Sequence, residues 1–429
     1  MDMQFARHKE RLENGLTVVT VELPHLHSVS IVMYARVGSR YEAPSDNGLS
    51  HFLEHMLFRG TEQLPDAYAL NHAIEELGGT LYAETGRDYS LYQISLHPEM
   101  LSEGLALFAE IFRAPAFADV DVERRIVLEE MLEDHDDDGR LVNIDDLARL
   151  AVWPDHPLGY RITGPYETVE RFTQADVRRH FAKFYGARNM VLAVSGAVEH
   201  AQIRAQVATA MGRLLPGEPL EFTPPPETQT APRFLYVRRE GSQTNVQILW
   251  RAFAETDPDF PALIALGRII DDGMSTRLHT RIVDQLGLAY YVSASLEPFV
   301  DTGLYEIDGN CAHESAAALV RESLNVLHRL RDEPPTAAEL DKAQRRYRWD
   351  LESTFDDPDA MAGWQAGTEL FFGPMSIEDK VKRVRAVTPA DVQRVTQRLC
   401  RPERLTVACV GQLTKKQERE IKTLVEGQT

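Results

Sequence analysis

Residues 173–179 of the chain read Thr-Gln-Ala-Asp-Val-Arg-Arg, and residues 388–394 read Thr-Pro-Ala-Asp-Val-Gln-Arg. The two stretches lie 215 residues apart (388 − 173). The apolar runs that end at Gly196 and Gly411 are separated by the same distance (411 − 196 = 215). Two matches at one offset, which is half of the 429-residue length, indicate an internal duplication. We therefore expect two homologous domains and not one compact core.

A proline-rich segment separates the two copies. Residues 216–232 contain six prolines (216, 219, 224, 225, 226 and 232), and proline continues neither a helix nor a central strand. We expect an extended linker here. The sequence thus predicts an N-terminal domain over residues 1–215, the linker over 216–232, and a C-terminal domain over 233–429.

The hydrophobic pattern of the first copy mixes strands with helices. Alternating or apolar runs predict strands at 15–23, 28–38, 89–97 and 190–196. Spacing of 3.6 residues predicts helices at 47–58, 66–77, 98–112, 119–135 and 173–185, with Asp119 and Thr173 as caps. The fold class predicted for each copy is α+β, a mostly antiparallel sheet covered by helices.

Composition excludes several classes of protein. Hydrophobic residues make up 43% and charged residues 26%, which excludes a disordered or collagen-like chain. The formal net charge of −20 argues against nucleic acid as a partner. No stretch approaches the ~18 apolar residues of a membrane span, and residues 1–16 are charged throughout. We expect a cytoplasmic protein, with the periplasm open if the chain is a mature form. Cys311, Cys400 and Cys409 indicate neither a disulfide framework nor a thiolate zinc site.

The candidate chemistry lies in one predicted helix. Its residues His51-Phe-Leu-Glu54-His55 have the spacing H-x-x-E-H. Residues four apart share a helix face, so His51 and His55 can direct imidazole nitrogens at one Zn²⁺ ion. Glu54 can reach a metal-bound water without ligating the metal, which is the position of a general base. The order is that of the inverted zincin motif. Two solvent-facing histidines on an amphipathic helix are the alternative.

A catalytic zinc site with two histidines needs a further protein ligand. Glu123 and Glu130 are seven residues apart on the predicted helix 119–135 and share a face, whereas Glu129 is turned away. We predict Glu130 as the third ligand and Glu123 as a carboxylate that orients a ligating histidine. A charged, solvated helix face is the alternative.

The second copy lacks these groups. Adding 215 to the numbers of His51, Glu54, His55 and Glu130 gives Leu266, Ile269, Ile270 and Arg345. No H-x-x-E-H spacing occurs in that half of the sequence. The sequence therefore predicts one zinc ion per chain.

Four segments together resemble one known family. They are residues 47–61 around H-x-x-E-H, Leu77-Gly-Gly-Thr-Leu-Tyr-Ala-Glu-Thr85, the helix with Glu123 and Glu130, and Gly287-Leu-Ala-Tyr290. The chain is similar to the pitrilysin-type (M16) zinc peptidases, which include insulin-degrading enzyme, mitochondrial processing peptidase and small bacterial processing-protease-like proteins. The resemblance implies two α/β-roll domains per chain and a zinc endopeptidase that hydrolyses unfolded peptides inside a chamber formed by two chains.

The resemblance also implies where substrate binds. In relatives the peptide adds as a strand to the segment that here comprises Gly79, Thr80, Leu81, Tyr82, Ala83, Glu84 and Thr85. Relatives usually have Asn at the position of Tyr82. Tyr290 corresponds to a tyrosine that helps to stabilise the tetrahedral intermediate. The substrate-binding Arg seven residues before that tyrosine is replaced by Val283, and Arg281 or Arg277 takes its place only if the register differs.

Some relatives divide the zinc site and the Arg/Tyr pair between two chains. The resemblance therefore implies that this chain is the zinc-bearing subunit of a heterodimer, whose second M16-type subunit supplies the Arg/Tyr pair; a homodimer is the alternative. A non-catalytic core or assembly subunit and a peptide-binding subunit with a structural metal are rival functions. Core subunits typically lose the zinc ligands, whereas all four groups are present here.

Overall fold

The structure is a computed structural model, and it describes residues 5–428. The chain divides into two compact units. The first unit comprises the chain up to Met131, Tyr160–Thr223 and Glu352–Met375. The second unit comprises Leu132–Gly159, Pro224–Leu351 and the chain from Ser376 onward.

The strands of the first unit are β1 (Ala6–Arg11), β2 (Thr17–Glu22), β3 (Val29–Ala35), β4 (Thr80–Thr85), β5 (Ser90–Leu96) and β6 (Met190–Gly196). Those of the second unit are β7 (Arg233–Arg238), β8 (Thr244–Ala252), β9 (Ala289–Pro298), β10 (Gly303–Cys311) and β11 (Leu405–Gly411).

The α-helices in chain order are α1 (Leu49–Leu57), α2 (Ala67–Glu76), α3 (Leu101–Arg113), α4 (Val120–Glu130), α5 (Ile144–Val152), α6 (Tyr166–Val169), α7 (Gln174–Phe184), α8 (His200–Met211), α9 (Phe260–Ile270), α10 (Arg277–His279), α11 (Ala316–Asp332), α12 (Ala337–Ser353), α13 (Pro358–Phe371), α14 (Ile377–Arg385), α15 (Pro389–Leu399) and α16 (Lys415–Glu426). No helix among residues 5–428 is long and apolar enough to cross a membrane.

Each unit contains one mixed, mostly antiparallel sheet. The first has the order β1-β2-β6-β3-β5-β4, in which β2 and β6 are parallel and the other neighbours are antiparallel. The second has the order β7-β11-β8-β10-β9, with β7 and β11 parallel. Apart from β1, the two orders are the same. The predicted fold class and the duplication are therefore confirmed.

The equivalent elements keep the offset that the sequence shows. Strand β11 begins 215 residues after β6 (405 − 190), and α15 begins 215 residues after α7 (389 − 174). Thr173 and Thr388 each accept a hydrogen bond from the backbone N–H of an aspartate three residues later, which closes a capping box at the start of both helices. The same local chemistry thus starts the same helix in both copies.

Each unit takes a helix from the other half of the sequence. Helix α13 packs on β3 and β6 of the first sheet, and α5 packs on β8 and β11 of the second. The physical reason is that β6 and β11 are buried at every position, so both faces of each sheet need a cover. The units therefore differ from the continuous halves 1–215 and 233–429. Residues 212–232 contain no helix or strand.

Helix α4 differs from its predicted form at both ends. Asp119 precedes α4 in a left-handed conformation (φ 56°), and its side chain makes no capping hydrogen bond, so the predicted side-chain cap is wrong. Helix α4 ends at Glu130 and continues as a 3₁₀ turn over Met131–Asp134. Glu130 therefore occupies the last position of the α-helix. Strand β4 is the last strand of the first sheet, so its outer side pairs with no other strand among residues 5–428.

Candidate metal centre

Helix α1 starts from a fixed backbone corner. Gly48 has a left-handed conformation (φ 97°), and a Cβ atom at this position would lie 2.5 Å from the carbonyl oxygen of Thr163, so only glycine fits. The buried carboxylate of Glu42 accepts hydrogen bonds from the backbone N–H groups of Gly48 (2.9 Å) and Ser50 (2.6 Å). An anion is favourable at this end of a helix because the first N–H groups have no partner within the helix.

The apolar face of α1 fixes the direction of its polar face. Leu49, Phe52, Leu53, Met56 and Leu57 are fully buried in the core of the first unit. Burial of this face turns the partly exposed residues at positions 51, 54 and 55 away from the core. The H-x-x-E-H spacing thus becomes one polar stripe on a rigid helix.

Three predicted metal ligands converge on one point. His51 Nε2 lies 3.6 Å from one carboxylate oxygen of Glu130, and His55 Nε2 lies 3.6 Å from the other. One ligand atom from each of the three residues can be chosen so that all lie within 4.8 Å of one another. Tetrahedral geometry with ligand distances of about 2.0–2.2 Å places ligand atoms about 3.3–3.6 Å apart. Two imidazole nitrogens and one carboxylate thus fit a zinc ion and leave a fourth position open.

Glu123 orients the second histidine. The Nδ1 atom of His55 donates a hydrogen bond of 2.8 Å to Glu123 Oε1, and the other ring nitrogen, Nε2, faces Glu130. Glu123 is buried, and Arg59 Nε lies 3.3 Å from its other oxygen. Although burial lowers the pKa of His55, the hydrogen bond to Glu123 and the charges of Glu123, Glu130 and Glu54 raise it overall. The structure brings Glu123 to the position predicted for an orienting carboxylate.

The first histidine is held as a neutral ring. Burial, together with the neighbouring His55, lowers the pKa of His51 to about 3. Its Nδ1 atom is buried and has no hydrogen-bond partner among the described residues. A neutral imidazole is the form that binds a metal ion. Glu129 is exposed and lies about 100° around α4 from Glu130, outside the group of three predicted ligands.

Glu54 is tied to the neighbouring edge strand. Thr85 at the end of β4 donates a hydrogen bond to Glu54 Oε2, and the hydroxyl of Ser90 lies 3.2 Å from that of Thr85. Burial raises the pKa of Glu54, and the negative charges of Glu130 and Glu84 add to this rise. A carboxylate with a raised pKa is a better proton acceptor near neutral pH. The predicted general base therefore stands beside the predicted ligands with one oxygen fixed.

The predicted peptide-binding segment forms the outer strand of the first sheet. Gly79 precedes β4, and the strand alternates between exposed Thr80, Tyr82 and Glu84 and the more buried Leu81, Ala83 and Thr85. Leu81 and Ala83 pack against the core, and Thr85 reaches Glu54 from the same face. Strand β4 thus ends beside Glu54 of the candidate metal centre.

The other predicted residues belong to the second unit. Tyr290 lies at the start of β9 and is 94% exposed. Val283 lies in a π-helical turn over Thr280–Gln285 and packs against the core of the second unit. Arg281 pairs with Glu322 (2.8 Å), and Arg277 pairs with Glu339 (2.7 Å). Both arginines therefore have carboxylate partners within their own unit.

The second copy has three apolar residues and one arginine at the positions equivalent to His51, Glu54, His55 and Glu130. Leu266, Ile269 and Ile270 are buried in α9, and Arg345 on α12 pairs with Asp341. Within residues 5–428 the only group of His, Cys, Asp or Glu side chains with metal-binding geometry is His51, His55 and Glu130.

Several contacts that support the site have no signal in the sequence. Glu42 accepts hydrogen bonds from the start of α1, Arg59 lies beside Glu123 of α4, and His180 forms a 3.0 Å hydrogen bond with Ser50. The resemblance places Thr85 in the peptide-binding segment but does not predict its hydrogen bond to Glu54. Burial lowers the pKa of His180 to about 3, so its ring is neutral. Except for the hydrogen bonds that Glu42 accepts, these contacts join residues far apart in the sequence. None of them follows a periodic spacing that would predict it.

Comparison with known proteins agrees with this fold. Residues 17–166 match the family model for insulinase (peptidase family M16), and residues 171–347 match the model for the peptidase M16 inactive domain. A protein of Rickettsia bellii named as an uncharacterised zinc protease is 30% identical over 351 residues, with 80% of this chain and 82% of that protein covered. A similarly named protein of Mycobacterium tuberculosis is 30% identical over 403 residues, with 92% and 91% covered.

Solved structures share the fold over nearly the whole chain. A protease from Helicobacter pylori superposes with a TM-score of 0.89 at 22% identity, covering 95% of this chain and all of that one. A putative M16-like peptidase from Alicyclobacillus acidocaldarius superposes with a TM-score of 0.82 at 19% identity, with 96% and 100% covered. The chain belongs to the M16 family of peptidases.

Proposed function

We propose that this protein is a zinc-dependent endopeptidase in which His51, His55 and Glu130 hold one Zn²⁺ ion per chain. The observation that carries the proposal is the convergence of the three side chains, with Glu123 fixing the tautomer of His55. The zinc proteases among its relatives support it. A structural metal would need a fourth protein ligand, and the described residues supply none.

The residues of α1 divide the chemistry between them. When bound, Zn²⁺ supplies Lewis acidity that polarises a peptide carbonyl and acidifies water. Glu54 is the general base that takes the proton of the attacking water and returns it to the leaving amine. The hydrogen bond from Thr85 fixes one oxygen of Glu54 and leaves the other for proton transfer. Burial of this carboxylate favours the protonated form that the second transfer requires.

The substrate in this proposal is an unfolded peptide that pairs with the outer edge of β4. An exposed edge presents unpaired backbone N–H and C=O groups, and an extended peptide can satisfy them without any particular sequence. Residues Gly79 to Thr85 form this edge, and its end lies beside Glu54. The segment that pairs there must be extended, which favours flexible chains as substrates.

The proposal includes a second subunit. Tyr290 is present, but Val283 replaces the family's substrate-binding Arg, and Arg277 and Arg281 are both engaged by carboxylates. We therefore propose a heterodimer around a closed chamber, in which another M16-type chain supplies the Arg/Tyr pair. A homodimer with full peptidase activity would contradict this part of the proposal and would leave the zinc chemistry in place.

One variant tests the central claim. Glu54→Gln should bind one equivalent of zinc, as wild type does, while the rate of peptide cleavage falls at least about hundredfold. Glu75→Gln, an exposed change on α2, is the matched control and should keep both properties. The measurements are the metal content and cleavage of a flexible peptide, with and without chelator, by the chain together with any subunit that co-purifies. Cleavage by Glu54→Gln at the wild-type rate would remove Glu54 from the mechanism, and a wild-type protein that binds no zinc would overturn the proposal in favour of a non-catalytic subunit.

A further inference from the structure

Strand β4 carries one carboxylate, Glu84, on the face opposite to the one that contacts Glu54 of α1. Because side chains alternate along a strand, Thr85 points towards α1, whereas Glu84 and Tyr82 point to the other side of the sheet. Glu84 directly precedes Thr85 and is exposed. Two carboxylates thus lie near the end of the proposed peptide-binding edge: Glu84 on one face of the strand, and Glu54 of α1, which Thr85 contacts, on the other.

Two tyrosines hold Glu84 in place. The hydroxyl of Tyr89 donates a hydrogen bond of 2.6 Å to Glu84 Oε1, and the hydroxyl of Tyr82 donates one of 3.1 Å to Oε2. The ring of Tyr89 folds back over Gly86, where a Cβ atom would lie 2.6 Å from the ring, and its centroid is 5.2 Å from that of Tyr34. The carboxylate is therefore positioned by aromatic side chains that are themselves packed.

The charge of Glu84 is not balanced by a cation. Among residues 5–428 no lysine, arginine or histidine forms an ion pair with it, although ion pairs are common elsewhere on this chain. Each carboxylate oxygen has a second acceptor position that the tyrosine hydroxyls do not use. The ring of Tyr82 is half exposed beside it and offers a face for a cation. A positive side chain that arrives from solvent would meet both groups together.

We propose that Glu84, Tyr82 and Tyr89 form a specificity subsite that accepts a lysine or arginine side chain of the substrate. This inference rests on the proposed peptidase function and names the substrate class for it. A peptide strand paired with β4 places alternate side chains on the two faces of the sheet. The residue opposite Glu84 is therefore at one fixed position along the peptide, next to the residue opposite Thr85. An acidic side chain at that position would be repelled by Glu84.

The test separates binding from cleavage. Fluorescent peptides that differ only by Lys, Gln or Glu at successive positions are bound to the zinc-loaded Glu54→Gln protein and measured by fluorescence anisotropy. We expect Lys at one position to lower Kd about five- to tenfold relative to Gln, and Glu there to raise it. The preference should weaken as the salt concentration rises from about 20 to about 300 mM, because the subsite is exposed.

A second substitution assigns the preference to its residue. When Glu84→Gln is added, the ratio of Kd for the Gln peptide to Kd for the Lys peptide should fall to about one. Tyr82→Phe should lower this ratio partly. Glu99→Gln, whose side chain is 81% exposed, is the matched control and should keep it. Equal Kd values for Lys, Gln and Glu at every position, or a preference that survives Glu84→Gln, would overturn the subsite. If the subsite behaves as expected while the wild-type chain with its partner cleaves nothing, the proposed peptidase function fails and the subsite stands as a binding site.

Discussion

The link between Glu123 and His55 allows a quantitative prediction about zinc affinity. Replacing Glu123 by Ala removes the acceptor for His55 Nδ1, which lies 2.8 Å away, and leaves that buried N–H without a partner. Replacing it by Gln keeps an acceptor oxygen of the same shape and removes only the charge. The two variants thus separate the orientation of the ring from the charge behind it.

The size of the effect follows from the geometry. Partners that orient a ligating histidine typically contribute about 10- to 100-fold to metal affinity, or about 1.4–2.7 kcal/mol. Glu123 is buried and its hydrogen bond to His55 is short. We therefore expect Glu123→Ala to lower the zinc affinity by about 100-fold, near the upper end of that range. Glu123→Gln should lie near the lower end, about tenfold, because the ring keeps its hydrogen bond.

The assay is competition for zinc between the protein and a chromogenic chelator near neutral pH. Thermal unfolding of the zinc-free variants shows whether each is still folded. Glu129→Gln, on the exposed side of the same helix, is the matched control and should leave the affinity within about twofold. A folded Glu123→Ala protein with wild-type zinc affinity would refute the reasoning.

Three further outcomes follow from the same structure. Removing zinc with a chelator should lower the melting temperature, because a ligand that binds only the folded state at about 100 times its Kd stabilises that state by about 2.7 kcal/mol; an unchanged melting temperature would argue against a bound metal. Gly48→Ala should destabilise the protein by at least about 1 kcal/mol in urea unfolding, since φ is 97° and the new Cβ would meet a backbone oxygen, while Gly139→Ala, also at positive φ (74°) but with open space around it, should cost less. The hydrogen bond from Arg277 lowers the pKa of Glu339 to about 2 from its usual 4.5, so its contribution to stability is present above about pH 4.5 and is lost as the pH falls towards 2; Glu339→Gln should make the urea midpoint less dependent on pH in that window, and an identical pH dependence would contradict this assignment.

The sequence predicts the helix of the candidate metal centre because the signal is local. His51, Glu54 and His55 lie within one and a half turns without a helix breaker, and the choice of Glu130 over Glu129 follows from helix geometry alone. The duplication is equally accessible, since it rests on one repeated offset. Both inferences use only spacing along the chain.

The rest depends on contacts between distant segments. Nothing near Glu54 in the sequence indicates that Thr85 will hold it, and nothing near Glu123 indicates Arg59. The amphipathic pattern of α5 shows that one face of the helix is buried but not which sheet covers it. The side-chain cap expected at Asp119 failed because the backbone there is left-handed.

The exchange of α5 and α13 bears on what happens when the chain is cut. A single proteolytic nick within residues 216–232 yields two fragments, and neither fragment contains every segment of either unit. Each fragment carries the helix that completes the other fragment's sheet. Nicked protein should therefore migrate as one species under native conditions and separate into two fragments only in denaturant. A fragment expressed alone should fold only when the other fragment is present.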